Sequence, residues 1–244
     1  MVEYLYHPAD YFESTFVRSS PDYELRFENG AARATLVIPV DPVPVSISDA
    51  VEAQVRALLG ARQILVHRSF TIDGPRIEHH RADGSRQVLV FGAGEAIGLA
   101  DVGRADFVVR DASGKVTDTK ADRVAEHERF LSLIASAEAK HPLVAKLRGS
   151  YGAAVANPQT ELVHLYEIRD ALQTHFKGAY KAKRRLGITP DDWKRLGKLA
   201  DRMPLEEGRH RGWHLSGLRP ATPAELAEAR AIARRMIEAF ARSV

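Results

Sequence analysis

The hydrophobic periodicity of the sequence changes once along its length, near residue 115. From about Tyr23 to Arg110, short alternating or β-branched runs lie between Asn-Gly and Asp-Gly pairs, which tolerate the positive φ angles of tight hairpin turns. After residue 115, apolar residues recur every three to four positions, as in amphipathic helices. The pattern predicts an α+β protein with an antiparallel β-rich domain at residues 1–115 and a helical bundle at residues 116–244.

Short apolar runs in the N-terminal part are predicted to form an antiparallel meander. The predicted strands are Tyr23–Phe27, Ala34–Val40, Ile64–Ile72, Gln87–Phe91 and Asp106–Arg110. The predicted hairpin turns are Asn29-Gly30, Asp73-Gly74 and Asp83-Gly84. One helix interrupts the meander, because a capping residue at Ser48 or Asp49 precedes apolar residues at helical spacing from Val51 to Leu59.

Two helices of the C-terminal part have starts that can be recognised residue by residue. Thr189 is an N-cap followed by Pro190 and two acids. Thr222 and Glu225 have the spacing of a capping box. Further apolar stripes predict helices over 124–137, 143–155 and 162–176, and another follows the capping box to Phe240.

Composition narrows the classes of site that the chain can carry. The sequence has no cysteine, which excludes a disulfide framework, a thiolate metal site and a cysteine nucleophile. It has no apolar stretch of about 18 residues, and its N-terminus is acidic where a secretory signal would be basic. We therefore expect a cytoplasmic protein without a membrane span.

The charge of the chain is divided unevenly between its two parts. The formal net charge is +3, but residues 1–139 carry about −6 and residues 140–244 about +9. A basic surface attracts polyanions because their binding releases condensed counterions. Nucleic acid is therefore the first partner to consider for the C-terminal part.

The densest group of chemically useful side chains lies at residues 206–214, between two predicted helices. Arginine can bind a phosphate with two parallel hydrogen bonds, and histidine exchanges protons near neutral pH. These two residue types suffice for metal-free RNA cleavage, because the ribose 2′-hydroxyl is an internal nucleophile. Histidines four residues apart could also hold a metal ion, but no third ligand is evident, so we predict no metal and no cofactor.

Arg209, His210 and His214 form a motif of an arginine, a polar residue and then a histidine. In its helical context, this motif resembles the HEPN superfamily over about residues 140–244, although Gly212 replaces the usual aliphatic residue. The resemblance implies that Arg209 binds the scissile phosphate, that His214 is the general base or acid and that His210 takes the polar position. Many members of the superfamily are ribonucleases of defence or toxin systems.

The same resemblance has implications for assembly and partners. It implies a homodimer in which two motifs face one cleft, and we expect an exposed apolar stripe on the helix at 159–177 or at 223–241 to form the interface. RNA is a more fitting partner than DNA. A β-rich module ahead of such a domain also resembles some abortive-infection proteins. The predicted function is a metal-independent endoribonuclease or an RNA-binding protein.

Two other functions remain open. The segment 180–200 resembles a helix-turn-helix with Gly187 at the turn, which favours a non-enzymatic nucleic-acid-binding regulator. Its basic residues are Lys183, Arg184, Arg185, Lys194, Arg195 and Lys198, and Arg211 adds a further cation. The other alternative is a structural or interaction protein, in which Arg209 and Arg211 line a solvated loop and interact with Glu206 and Glu207.

Overall fold

The computed structural model describes residues 1–37, 44–80, 86–90, 108–110, 116–209 and 217–244, which form two compact units in an α+β protein. The first, called the β unit, comprises Met1–Arg62 and Phe70–Leu131. The second, called the helical unit, comprises Gln63–Ser69 and Ser132–Val244. These units place residues 119–131 with the strands and 63–69 with the helices. The predicted boundary at 115/116 adjoins the undescribed residues 111–115 and stays a prediction.

The β unit is built on an antiparallel sheet with its first strand at the centre. The strands are β1 Val2–His7, β2 Phe16–Ser19, β3 Tyr23–Glu28, β4 Ala31–Leu36, β5 Thr71–His80 and β6 Arg86–Val90. Their order is β2-β3-β4-β1-β5-β6, and β7 Val108–Arg110 pairs separately with β8 Val116–Asp118. Val2, Tyr4 and Tyr6 of β1 are buried at alternate positions. Strands β1 and β2 were not predicted, because no turn dipeptide marks them.

Of the predicted turns, Asn29-Gly30 is confirmed and Asp73-Gly74 is wrong. Asn29 and Gly30 have φ angles of 49° and 78° and connect β3 to β4. Asp73 and Gly74 instead lie within β5, where the register against β1 shifts. A Cβ at Gly74 would lie 3.1 Å from the carbonyl oxygen of Glu3, so glycine permits this irregular pairing. The Asp83-Gly84 pair lies outside the described residues.

The helix predicted after Ser48 is α1, Val45–Val66, and it is longer than expected. Within the β unit, the side-chain oxygen of Gln54 accepts a 2.5 Å hydrogen bond from the hydroxyl of Tyr23, which ties α1 to the sheet. The predicted strand Ile64–Ile72 is wrong, because Ile64–Val66 continue α1 and the next strand begins at Thr71. An apolar β-branched run does not by itself distinguish a strand from a buried helical turn.

The other predicted strands overlap observed ones. Tyr23–Phe27 lies within β3, Ala34–Val40 overlaps the end of β4, Gln87–Phe91 overlaps β6 and Asp106–Arg110 overlaps β7. Residues 38–40, 91 and 106–107 of these predictions lie outside the described residues. Where these strands are described, their pairing is antiparallel, as predicted. The meander order itself is wrong, because β1 lies between β4 and β5 and β7 pairs with β8 in a separate sheet.

The helical unit contains the helices predicted from apolar periodicity. They are α2 Thr119–Lys140, of which the second half belongs to this unit, α3 Pro142–Ala156, α4 Glu161–His175, α5 Ala179–Leu186, α6 Pro190–Gly197 and α7 Pro223–Arg242. A π-helical turn, Lys198–Arg202, continues α6. Both predicted caps are present: Thr189 accepts from the backbone N–H of Asp192, and Thr222 and Glu225 form a capping box. Within the described residues, no helix has the length and apolarity needed to cross a bilayer.

The apolar stripes of α4 and α7 are buried inside the helical unit. On α4 the buried apolar residues are Leu162, Leu165, Ile168 and Leu172, and on α7 they run from Ala229 to Ala241. Among the described residues, the exposed large apolar side chains are Leu5, Val17, Val37, Val45 and Tyr180. The expected exposed stripe on α4 or α7 is therefore wrong. Homodimerisation itself stays a prediction.

Candidate phosphate-binding site

The candidate site is built on the flank of α4, beside its buried stripe. Tyr166 and Arg169 are three residues apart on this helix, so their side chains are neighbours on its surface. Both are half-buried, whereas Leu165 and Ile168 next to them are fully buried in the core. The burial of that stripe fixes the direction in which the tyrosine and the arginine face.

Arg209 lies against this flank because the chain leaving the π-helical turn passes close to it. The backbone N–H of Arg209 donates a 2.7 Å hydrogen bond to the carbonyl oxygen of Ala200. A Cβ at Gly208 would lie 3.1 Å from the same oxygen, which is closer than most Cβ contacts, so glycine favours this approach. The guanidinium carbon of Arg209 lies 4.4 Å from the centre of the Tyr166 ring. This distance is that of a cation–π contact.

Arg169 contacts two aromatic rings of the helical unit. Its guanidinium carbon lies 4.9 Å from the centre of the Tyr166 ring and 5.1 Å from that of Trp193 on α6. A Cβ at Gly197, also on α6, would lie 2.9 Å from Nη1 of Arg169. The guanidinium group therefore occupies the space that a side chain at Gly197 would fill. Arg169 was not among the predicted site residues, although a spacing of three residues makes it a neighbour of Tyr166 on a helix.

Arg169, Arg209 and Tyr166 form a cluster, called the Arg209 cluster below. Among the described residues, no acid lies beside its two cations. Within the described residues, neither Arg169 nor Arg209 has a carboxylate within ion-pair distance. Glu207, an expected partner of Arg209, accepts instead from the backbone N–H of Ala221 at 3.0 Å. Tyr166 is the observed neighbour of both guanidinium groups. The N–H donors of a guanidinium group that has no carboxylate partner are available to an anion such as a phosphate.

The remaining residues of the predicted motif lie outside the described residues. Residues 210–216 include His210, Arg211 and His214. The structure therefore positions the arginine of the motif and leaves the two histidines as predictions.

The predicted helix pair at 180–200 is present as α5 and α6. Gly187 at the end of α5 has φ 65°, the left-handed conformation for which glycine is favoured. Lys194 and Lys198 are exposed, as are Arg184 and Arg185, and Lys183 is half-buried. Among the described residues, none of these five has an ion-pair partner.

Arg195 differs from the other basic residues of this pair. It donates from Nε at 2.8 Å to a carboxylate oxygen of Glu228 on α7, and Nη2 lies 2.7 Å from the same oxygen. This hydrogen bonding raises the pKa of Arg195 above its ordinary value. The charge of Arg195 is thus already compensated within the helical unit.

Comparison with protein-family models, with curated proteins and with solved structures finds no match to this chain.

Proposed function

We propose that the helical unit binds RNA at the Arg209 cluster and cleaves it without a metal ion. The observation that supports this proposal is the guanidinium group of Arg209, which stacks on Tyr166 and has no carboxylate partner among the described residues. An arginine already held by an aromatic ring loses little side-chain entropy when it binds a phosphate.

In the proposed reaction, Arg209 holds the scissile phosphate and neutralises the charge that develops on it. His214, as the resemblance to the HEPN superfamily implies, removes the proton from the ribose 2′-hydroxyl, and His210 takes the polar position of the motif. The 2′-oxygen then attacks phosphorus, and the bond from phosphorus to the 5′-oxygen breaks. The 5′-oxygen accepts a proton from a general acid, which leaves a 2′,3′-cyclic phosphate and a 5′-hydroxyl.

The experiment that tests this proposal is incubation of the full chain with labelled tRNA and messenger RNA in EDTA. Wild type is compared with Arg209→Ala, His214→Ala and a control, Lys146→Ala, which removes an exposed charge of α3. We expect fragments ending in 2′,3′-cyclic phosphate from wild type and the control, and none from the other two variants. Intact RNA with all four proteins, or equal cleavage by Arg209→Ala, would contradict the proposal.

Homodimerisation belongs to the same proposal, because the superfamily resemblance implies that two motifs share a cleft. Sedimentation of the purified chain measures it directly. A dimer whose dissociation abolishes cleavage is expected, whereas an active monomer would remove dimerisation from the mechanism.

A second function is favoured by the exposed basic residues of α5 and α6. In this alternative the helix pair binds nucleic acid without cleaving it, and Lys194 and Lys198 contact phosphates. The two acids at the start of α6, Asp191 and Asp192, disfavour the reading of base edges by that helix. A salt-sensitive gel shift on duplex DNA, with the DNA left intact, would support this function over the first.

A further inference from the structure

Arg169 is held in its position more tightly than a surface arginine. Its guanidinium group contacts the rings of Tyr166 and Trp193, and its Nε is buried with no hydrogen-bond partner among the described residues. The Nε1 of Trp193, a residue with 3% exposure, is likewise buried and has no partner in the described part of the chain. Buried donors without acceptors are unfavourable in a folded protein, so each calls for a physical reason.

Gly197 gives independent evidence that this position of Arg169 matters. The backbone of Gly197 has φ −61° and ψ −38°, which any residue adopts in a helix. Glycine is an unfavourable residue in a helix, so a position without a side chain lowers the intrinsic stability of α6. The three atoms nearest to a Cβ at this position would all belong to the guanidinium group of Arg169. The absence of a side chain at Gly197 is therefore what admits the arginine.

We infer that Arg169 is a second phosphate-binding residue of the Arg209 cluster. Both guanidinium groups lie close to one ring, at 4.9 and 4.4 Å from the centre of Tyr166, and no carboxylate among the described residues neutralises either. Arg169 is only half-buried, so an anion can reach it. Two guanidinium groups beside one ring offer N–H donors to the phosphates of an RNA backbone, and Tyr166 and Trp193 position Arg169. This inference rests on the proposed binding of RNA at Arg209.

The substitution Gly197→Ala tests the position of Arg169 without removing its charge. The Cβ would meet the far end of a flexible side chain, so the protein is expected to fold while the guanidinium group moves. Gly149→Ala is the matched control, because Gly149 is also helical, on α3, and a Cβ there would meet nothing within 4 Å. Thermal unfolding of both variants verifies that each is folded.

The readout is the affinity for a labelled single-stranded RNA oligonucleotide, measured with the full chain in EDTA by fluorescence anisotropy at several salt concentrations. We expect Gly197→Ala and Arg169→Gln to raise Kd about 10-fold, a loss on the scale of one hydrogen-bonded charge pair. Arg169→Gln should also reduce the slope of log K against log salt by about 0.7, the value for one phosphate contact on a single strand. Gly149→Ala and the charge control Lys146→Gln should change Kd less than twofold.

The outcomes separate this inference from the proposal on which it rests. In one outcome Arg209→Gln raises Kd, but Gly197→Ala has the same Kd as Gly149→Ala, and Arg169→Gln has the same Kd as Lys146→Gln. Arg169 is then not a phosphate ligand, and the proposed function stands. If wild type binds no RNA, the proposed function and this inference both fail. A loss of affinity in Gly197→Ala, with a melting temperature no lower than that of wild type, is the result that supports Arg169.

Discussion

Arg230 donates two hydrogen bonds to the buried carboxylate of Glu161, from Nε at 2.6 Å and from Nη2 at 2.7 Å. Glu161 is the first residue of α4, and its side chain is 2% exposed. The bidentate pair raises the pKa of Arg230 above its ordinary value. A carboxylate is buried at high cost unless a partner compensates its charge, so Arg230 is what allows Glu161 to remain inside the helical unit.

Removal of one partner of this pair should destabilise the helical unit strongly. We expect Arg230→Ala to lower the free energy of unfolding by about 3–5 kcal/mol, because Glu161 is left buried and uncompensated. Urea unfolding followed by circular dichroism measures the change. The matched control is Arg242→Ala, which breaks an exposed pair with Glu238 on the same helix and should cost at most about 0.5 kcal/mol. Equal losses of unfolding free energy in the two variants would show that Arg230 does not stabilise the buried carboxylate of Glu161.

His67 contacts the same buried pair. Its Nε2 lies 3.7 Å from Oε1 of Glu161, and its Nδ1 lies 3.3 Å from the hydroxyl of Tyr151. Burial, and then the positive charge of Arg230, lower the pKa of His67 to about 4, while Glu161 acts in the opposite direction. The imidazole is therefore neutral in the folded protein at neutral pH.

A neutral buried His67 should make the protein less stable as pH falls. The pKa in the unfolded chain is about 6.5, so between about pH 6.5 and pH 4 the unfolded state binds a proton that the folded state does not. The free energy of unfolding should fall by about 2 kcal/mol over this window, after allowance for partial exposure to solvent. Urea unfolding at a series of pH values measures it.

The control for this pH dependence is His67→Asn. His67 has φ 49°, a left-handed conformation that asparagine tolerates, so the substitution removes the titrating group and keeps the backbone. The pKa values of Glu13 and Glu225 are lowered from 4.5 to about 2, so the stability that these carboxylates contribute is lost mainly as pH falls below about 4.5. If wild type and His67→Asn lose stability in parallel between pH 6.5 and 4, His67 is not the source.

The parts of the fold that sequence predicts best are those with a local signal. The capping box at Thr222 and Glu225 and the turn at Asn29-Gly30 depend on residues within a few positions of one another, and both are confirmed. The central strand β1 was missed because its place in the sheet is set by pairing with β4 and β5, which are distant in sequence. Long-range pairing overrides local pattern at such positions.

The candidate site was predictable only in part for the same reason. Arg209 was found because it lies in a short motif with His214. The contact of Arg209 with Tyr166 joins residues 43 positions apart, and that of Arg169 with Trp193 joins α4 to α6. The glycine at position 197 has no local sequence signal, because its role is to leave room for an arginine on another helix.

Arg62 is a buried cation of the β unit, and we expect its three contacts to make substitution by lysine destabilising. Its Nε donates to the carbonyl oxygen of Tyr11 at 2.9 Å, Nη2 to Glu13 at 2.8 Å and Nη1 to Nδ1 of His127 at 2.6 Å. A lysine ammonium is a point charge and cannot reproduce this planar fork. We expect Arg62→Lys to lower the free energy of unfolding by about 2–3 kcal/mol.

Arg56→Lys provides the comparison for Arg62, because Arg56 lies on the same helix and pairs with Glu52 at its exposed surface. Chemical denaturation should give this variant a free energy of unfolding within about 0.5 kcal/mol of that of wild type. A similar result for Arg62→Lys would mean that the buried contacts need only a positive charge.

The basic residues of α5 and α6 should contribute unequally to nucleic-acid affinity, if this surface binds phosphates. Lys194 and Lys198 are exposed and have no ion-pair partner among the described residues, whereas Arg195 is paired with Glu228. A compensated cation adds little to the field that attracts a polyanion. We expect Lys194→Gln and Lys198→Gln each to reduce the salt slope of duplex DNA binding by about 0.9, and Arg195→Gln to reduce it by less.

Gel shifts at four salt concentrations distinguish the possible contributions of this helix pair. Equal reductions for all three variants would show that the Arg195–Glu228 pair opens on binding, since only a freed guanidinium group can replace a counterion at a phosphate. No reduction for Lys194→Gln or Lys198→Gln would exclude this face as the binding surface. Binding would then have to be carried by the Arg209 cluster, whose variants Arg209→Gln and Arg169→Gln should show the reduction instead.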